Sequence, residues 1–177
     1  MSTAFHNRRK SAPPIGPASL EAMALRYVGR YATTREKLTR YLHRKIAERG
    51  WDGDGPPPVE ALVERLGTLG YVNDRLFAES RTRSLTRRGY GGRRIDQSLA
   101  ADGIAPPLRA EAAEGLDPLQ AALTLARRKR IGPFGGESST PETRRKAFAI
   151  LMRAGHAPDI ARRVAAATDP GQFDEAL

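Results

Sequence analysis

The sequence predicts an all-α protein of tandem three-helix repeats, about three units and nine helices, stacked into an elongated, curved, right-handed-type solenoid. Three observations carry that prediction. Hydrophobic residues make up 40% of the 177 residues but aromatics only 6%. The core is therefore mostly Leu, Ala, Val and Ile, which suits packed helices better than a β-sandwich. Apolar residues recur at three- and four-residue spacing through most of the chain. One phrase also recurs in register: Gly103-Ile104-Ala105-Pro106 is answered by Gly155-His156-Ala157-Pro158. Leu99 and Leu151 each stand four residues before the glycine, and Ile95 and Ala147 one turn earlier. Units that each bury little are stabilised largely by stacking.

The elements follow in order. Residues 1–18 mix Ser, Pro, Gly and basic residues without periodicity and read as a disordered basic arm. Repeat 1 spans 19–72. Its first helix carries Leu20, Ala24, Leu25 and Val28. Thr33 and Glu36 form a capping box opening a second helix, with Leu38, Leu42 and Ile46 inward and Gly50 as its stop. Trp51 to Pro58 is too rich in Gly and Pro to be helical, and a third helix follows with Leu62, Val63, Leu66 and Leu69 in its stripe. Repeat 2 spans 73–116. Asn73 caps a helix carrying Leu76, Phe77, Ser80 and Leu85, and Gly91-Gly92 leads into a helix with Ile95 and Leu99. A short helix follows Pro106. Repeat 3 spans 117–168 and includes a Gly- and Ser-rich loop before Thr140-Pro141; residues 169–177 form a tail.

There is no cysteine, which removes disulfides and thiolate metal sites and fits a reducing compartment. No apolar run is long enough for a transmembrane helix, and no apolar stretch follows Arg8-Arg9-Lys10 to make a signal peptide. A cytoplasmic location with no membrane contact is expected. The histidines, His6, His43 and His156, lack the i, i+4 partners of a zinc site and read as surface residues. Asp52-Gly53-Asp54-Gly55 fails as a calcium loop, because Pro57 and Val63 stand where Gly and Glu are required. Gly89-Tyr90-Gly91-Gly92 has neither a preceding strand nor a Walker lysine, and reads as a turn between helices. No catalytic residue, metal or cofactor is expected.

The formal charge of +10 points to a polyanionic partner. From Arg81 to Arg94 there are six arginines, Arg81, Arg83, Arg87, Arg88, Arg93 and Arg94, and no acid. Arg127 to Arg130 sit at a helix C-terminus, where cations gain about 0.3–1 kcal/mol from the dipole. Arg93, Arg94, Arg144, Arg145 and Lys146 crowd helix N-termini, where the same effect is unfavourable. Only Tyr90 lies among these arginines, so stacking of single-stranded bases is not the obvious mode.

The middle of the chain resembles the RecX family of bacterial recombination regulators. Gly70-Tyr71-Val72-Asn73-Asp74-Arg75-Leu76-Phe77-Ala78 is similar to the family's junction signature, with Asn73 where an acid is common and Leu76 in place of Arg. Arg88-Gly89-Tyr90-Gly91-Gly92-Arg93-Arg94-Ile95, then Leu99 and Gly103-Ile104, is similar to its second block. Within these stretches Gly70, Tyr71, Asp74, Phe77, Ala78, Gly89, Ile95, Leu99, Gly103 and Ile104 read as mainly structural. Tyr71, Phe77, Ile95, Leu99 and Ile104 are expected in the core, and Asp74 as a first-turn acid. The resemblance implies a monomer that binds the RecA filament and inhibits RecA's ATPase, strand exchange and coprotease activities. It also implies contact with single- and double-stranded DNA through phosphates. The expected binding face is Arg81, Arg83, Arg87, Arg88, Arg93 and Arg94, with Arg144, Arg145 and Lys146 second. The alternative is a stand-alone basic DNA-binding or architectural protein with no RecA role.

Overall fold

Helix formation follows the predicted periodicity closely. In the computed structural model, which describes residues 12–136 and 140–176, nine α-helices and two short 3-10 segments are present and no strand occurs among the described residues. The chain divides into two compact units, 1–73 and 74–177. None of the helices is long and apolar enough to cross a membrane.

The first unit holds α1 (Pro17–Arg30), α2 (Arg35–Arg49) and α3 (Val59–Thr68). Leu20, Ala24, Leu38, Leu42, Leu62, Val63 and Leu66 form its buried cluster. Of the basic arm expected over 1–18, residues 1–11 lie outside the described residues, and the rest is not an arm. Ile15 is fully buried and bridges in parallel to Trp51. Its N–H donates to the Gly50 carbonyl at 3.0 Å, and its own carbonyl accepts from the Asp52 N–H at 2.9 Å. The Arg49 guanidinium donates twice to the Pro13 carbonyl. One isoleucine in a Gly- and Pro-rich stretch has no period to betray it, yet removing it from water is worth about 2 kcal/mol.

Three local expectations shift. The α2 cap is Thr34, not Thr33: its Oγ1 accepts from the Lys37 N–H at 3.1 Å. Lys37 thus occupies the third helical position, no box closes with Glu36, and Glu36 pairs with Arg40 instead. Leu69 is exposed because it stands at the C-cap of α3, beyond the buried stripe. Tyr71 is also exposed, at 56%, because the glycine turn at Gly70 turns Val72 inward in its place.

The second unit holds α4 (Asp74–Arg87), α5 (Gly92–Ala101), α6 (Pro106–Ala112), α7 (Pro118–Lys129), α8 (Pro141–Arg153) and α9 (Pro158–Ala166). Ala78, Leu85, Ile95, Leu99 and Ile104 form one buried cluster, with Phe77 half-buried at its edge. Leu76 is exposed at 58%; it points away from the face that carries Ala78, Thr82 and Leu85. A further cluster joins Leu123, Ala126, Ala147, Leu151, Ala161 and Val164. The tail adds Phe173 to it, under the Arg163 guanidinium.

The repeated phrase is a repeated structure. Gly103 (φ +82°) and Gly155 (φ +88°) close α5 and α8 in the left-handed region, which costs an L side chain about 1–2 kcal/mol. The next N–H reaches back over the last turn in both, Ile104 to the Leu99 carbonyl and His156 to the Leu151 carbonyl. Ala105 and Ala157 then take the same extended backbone before Pro106 and Pro158 open α6 and α9. His156 therefore stands where Ile104 stands, and both are only 2% exposed. That overturns its reading as a surface histidine. Its Nε2–H donates to the Gly89 carbonyl at 3.0 Å, while Nδ1 is buried without a partner. Burial pushes its pKa below the ordinary 6.5, partly opposed by that hydrogen bond.

Gly89, Gly91 and Gly155 form a joint of bare backbone. A Cβ on Gly91 would lie 2.5 Å from the Gly155 carbonyl, and one on Gly155 would lie 2.4 Å from the Arg94 nitrogen. A Cβ on Gly89 would lie 2.6 Å from the Leu125 nitrogen. Across the joint the Gly91 and Arg93 N–H groups donate to the Ala154 and Gly155 carbonyls at 2.9 and 3.2 Å. The start of α5 and the end of α8 thus satisfy each other's free backbone groups.

Candidate polyanion interface

The nine expected cations are all exposed, but the fold sorts them. Arg81 lies 3.6 Å from the Asp102 carboxylate and donates to the Ser98 hydroxyl. Arg83 lies 3.6 Å from Glu79, one turn before it on α4. Arg83 and Arg87 line a shallow recess with Glu79, Glu111 and Glu114. The acid-free stretch of sequence is therefore not acid-free in space, because carboxylates arrive from α6 and from the end of α5. The exposed Arg83–Glu79 pair contributes little stability; Asp102 is buried, and both carboxylates dilute the positive field around their arginines.

Arg88 lies over the Tyr90 ring at 5.1 Å, and its carbonyl accepts from the Arg128 guanidinium. Arg93 and Arg94 have no carboxylate partner among the described residues. Their place at a helix start is less unfavourable than the sequence suggests. The carbonyl end of α8 abuts the N–H end of α5, so the two terminal charges partly cancel.

Arg144, Arg145 and Lys146 follow the start of α8, where Thr140 and Thr143 close a capping box. No carboxylate partner accompanies them among the described residues. Arg144 and Lys146 meet Lys129 and Arg130 around a recess of about 290 Å³, lined also by Ile131, Gly132 and Thr143. None of its described lining residues is acidic. Converging cations on a partly enclosed surface strengthen one another's potential. Lys129 and Arg130 were assigned to the helix dipole by sequence reasoning. The available signal was that both basic runs flank one Gly- and Ser-rich stretch of sequence, 131–140. Arg130 also holds the left-handed C-cap of α7, at φ +52°.

Among the described residues no group of three or more His, Asp or Glu side chains is arranged to hold a metal. His43 is exposed and pairs with Glu60 at 2.9 Å, which lowers the Glu60 pKa.

These features define a helical-repeat protein whose second unit presents clustered cations on two helix starts. Residues 73–112 match the family profile of the second three-helix domain of RecX. The chain is 36% identical to the regulatory protein RecX of Myxococcus xanthus over 160 residues, covering 85% of this chain and 86% of that one. It is also 36% identical to the regulatory protein RecX of Halorhodospira halophila, covering 82% and 86%. The crystal structure of RecX from Lactobacillus salivarius superposes with a TM-score of 0.66 at 20% identity, over 83% of this chain and 92% of that one. The chain belongs to the RecX family of regulatory proteins.

Proposed function

We propose that this protein is a monomeric, non-enzymatic cytoplasmic regulator that binds the RecA–DNA filament and inhibits RecA's ATPase, strand exchange and coprotease activities. The observation that carries the reading is the convergence of Lys129, Arg130, Arg144 and Lys146 around a recess with no carboxylate among its described lining residues, in a chain of the RecX family. Arg145, Arg93 and Arg94, exposed and without a carboxylate partner among the described residues, are further candidate contacts, and Arg81, Arg83, Arg87 and Arg88 weaker ones. Phosphate contacts of this kind position a protein without reading sequence. Each phosphate neutralised on a duplex adds about −0.9 to the slope of log affinity against log salt.

The test is RecA's single-strand-dependent ATP hydrolysis at fixed, saturating DNA, with this protein titrated in. A fall at substoichiometric protein supports the filament regulator. Loss only once the protein outnumbers DNA sites supports the stand-alone DNA binder. Arg144→Glu with Lys146→Glu is expected to abolish the substoichiometric effect while leaving helicity unchanged.

A further inference from the structure

In the first unit, residues far apart in sequence assemble an aromatic platform. Tyr27 on α1 and Tyr41 on α2 stack with ring centroids 4.2 Å apart and planes 22° from parallel. Both pack against the apolar cluster beneath them, which holds the stack in place. Tyr31, one turn after Tyr27 at the end of α1, leans on it at 5.4 Å and is 53% exposed. Arg26, Arg30 and Arg44 complete the rim of an open recess with these three rings, and no carboxylate lines it among the described residues. Arg26 and Arg30 have no carboxylate partner among the described residues. Arg44 lies over the Tyr41 ring at 5.8 Å and 3.7 Å from Glu48, an exposed and weak pair.

The core accounts for Tyr27 and Tyr41 but not for Tyr31, which stays 53% exposed. Nor does it account for three guanidinia around it with no acid on the rim. A ring held by its neighbour, flanked by cations spaced along a helix turn, matches what a nucleobase and its two adjoining phosphates require. Because Tyr27 is already stacked on Tyr41 and Tyr31 rests against Tyr27, a base can pack on the exposed ring with little loss of side-chain freedom. An acidic peptide would use the arginines but leave the stack idle.

We infer that Tyr27, Tyr31 and Tyr41, with Arg26, Arg30 and Arg44, form a base-stacking site for single-stranded nucleic acid. This site is separate from the cations of the second unit. It rests on the preceding reading only in taking nucleic acid as a partner, and needs no RecA.

The experiment uses the full chain and fluorescence anisotropy at low salt. The probes are a labelled oligothymidylate and an abasic deoxyribose-phosphate oligomer of equal length. Tyr31→Ala is expected to weaken oligothymidylate binding by about five- to a hundredfold, the range of one base–aromatic stack, and to leave the abasic oligomer within about twofold. Tyr31→Phe keeps the ring and should bind as the parent does. An oligothymidylate carrying 5-iodouracil should photocrosslink to the peptide containing Tyr31. The inference is overturned if Tyr31→Ala changes both probes equally, if oligothymidylate affinity is unchanged, or if crosslinks map only to 81–146. It is also overturned if a polyglutamate peptide binds with the same dependence on Tyr31. RecA ATP hydrolysis is measured separately, so failure of this site and failure of the filament reading are distinguishable.

Discussion

The turn from α5 to α6 and the turn from α8 to α9 share a backbone and differ in one side chain. Both place a left-handed glycine after the helix, a buried residue after the glycine, and an alanine before a helix-opening proline. In the first turn the buried residue is Ile104, which contributes only packing within its own cluster. In the second it is His156, which fills the same place and hydrogen-bonds to Gly89, 67 residues earlier in the chain. The difference teaches that a repeat position can be converted from local core to long-range tie without changing its fold. It also introduces a cost absent from the first turn, a buried imidazole that resists protonation.

The largest effect is expected from breaking the joint at which the second turn is seated. Gly155→Ala combines the penalty of its positive φ with a Cβ 2.4 Å from the Arg94 nitrogen. It should cost about 3–5 kcal/mol in denaturant unfolding. Gly115→Ala, at φ +73° in open space, should lose only about 1–2 kcal/mol. Equal losses would mean that the close approach is unimportant.

Next in size, His156→Ala should lose about 2–3 kcal/mol, through the cavity and the Gly89 carbonyl left without a donor. His156→Ile, which copies the first turn, should recover most of the packing but not the hydrogen bond.

The pH response sharpens the comparison further. Well above pH 6.5 the imidazole is neutral in both folded and unfolded chains and contributes no slope. Below it, the unfolded chain takes up a proton that the folded chain, with its lowered pKa, does not. Stability therefore falls with pH, by at most about 1.4 kcal/mol per unit from this group. His156→Ile should remove that part of the acid sensitivity, seen as a flatter dependence of the unfolding midpoint between neutral and mildly acidic pH. An identical profile in parent and variant would show that His156 is not held neutral. The smallest effect is expected from Ile104→Val, about 1 kcal/mol with no change in pH profile.

Much of the helical architecture was legible because its signals are local and periodic. Ile95, Leu99 and Gly103 announce a helix, its buried face and its end, and their echo at Ala147, Leu151 and Gly155 announces the repeat. Even the burial of His156 was available from the register that aligns it with Ile104; judging the histidine by its residue type obscured it. The site was less legible, because it depends on partners distant in sequence. The run from Arg81 to Arg94 contains no acid, yet Glu79 and Asp102 approach its first members. Tyr27, Tyr31 and Tyr41 look scattered along the chain, yet in space Tyr27 stacks on Tyr41 and Tyr31 leans on Tyr27. Ile15 had no periodic neighbours to mark it, and its role comes from a bridge to Trp51.

The joint at Gly89, Gly91 and Gly155 is made chiefly of main chain, with the His156 imidazole tied to the Gly89 carbonyl, and this separates what must be kept from what can drift. An interface built from interlocking side chains constrains both of its surfaces at once, since each change requires a compensating one. Here a few glycines carry the fit, while Arg93 and Arg94 are exposed beside it and hold no carboxylate partner among the described residues. The charge displayed next to the joint can therefore be rewritten, gained or reversed over generations at little structural cost. A scaffold of this kind can keep its shape while its choice of partner evolves.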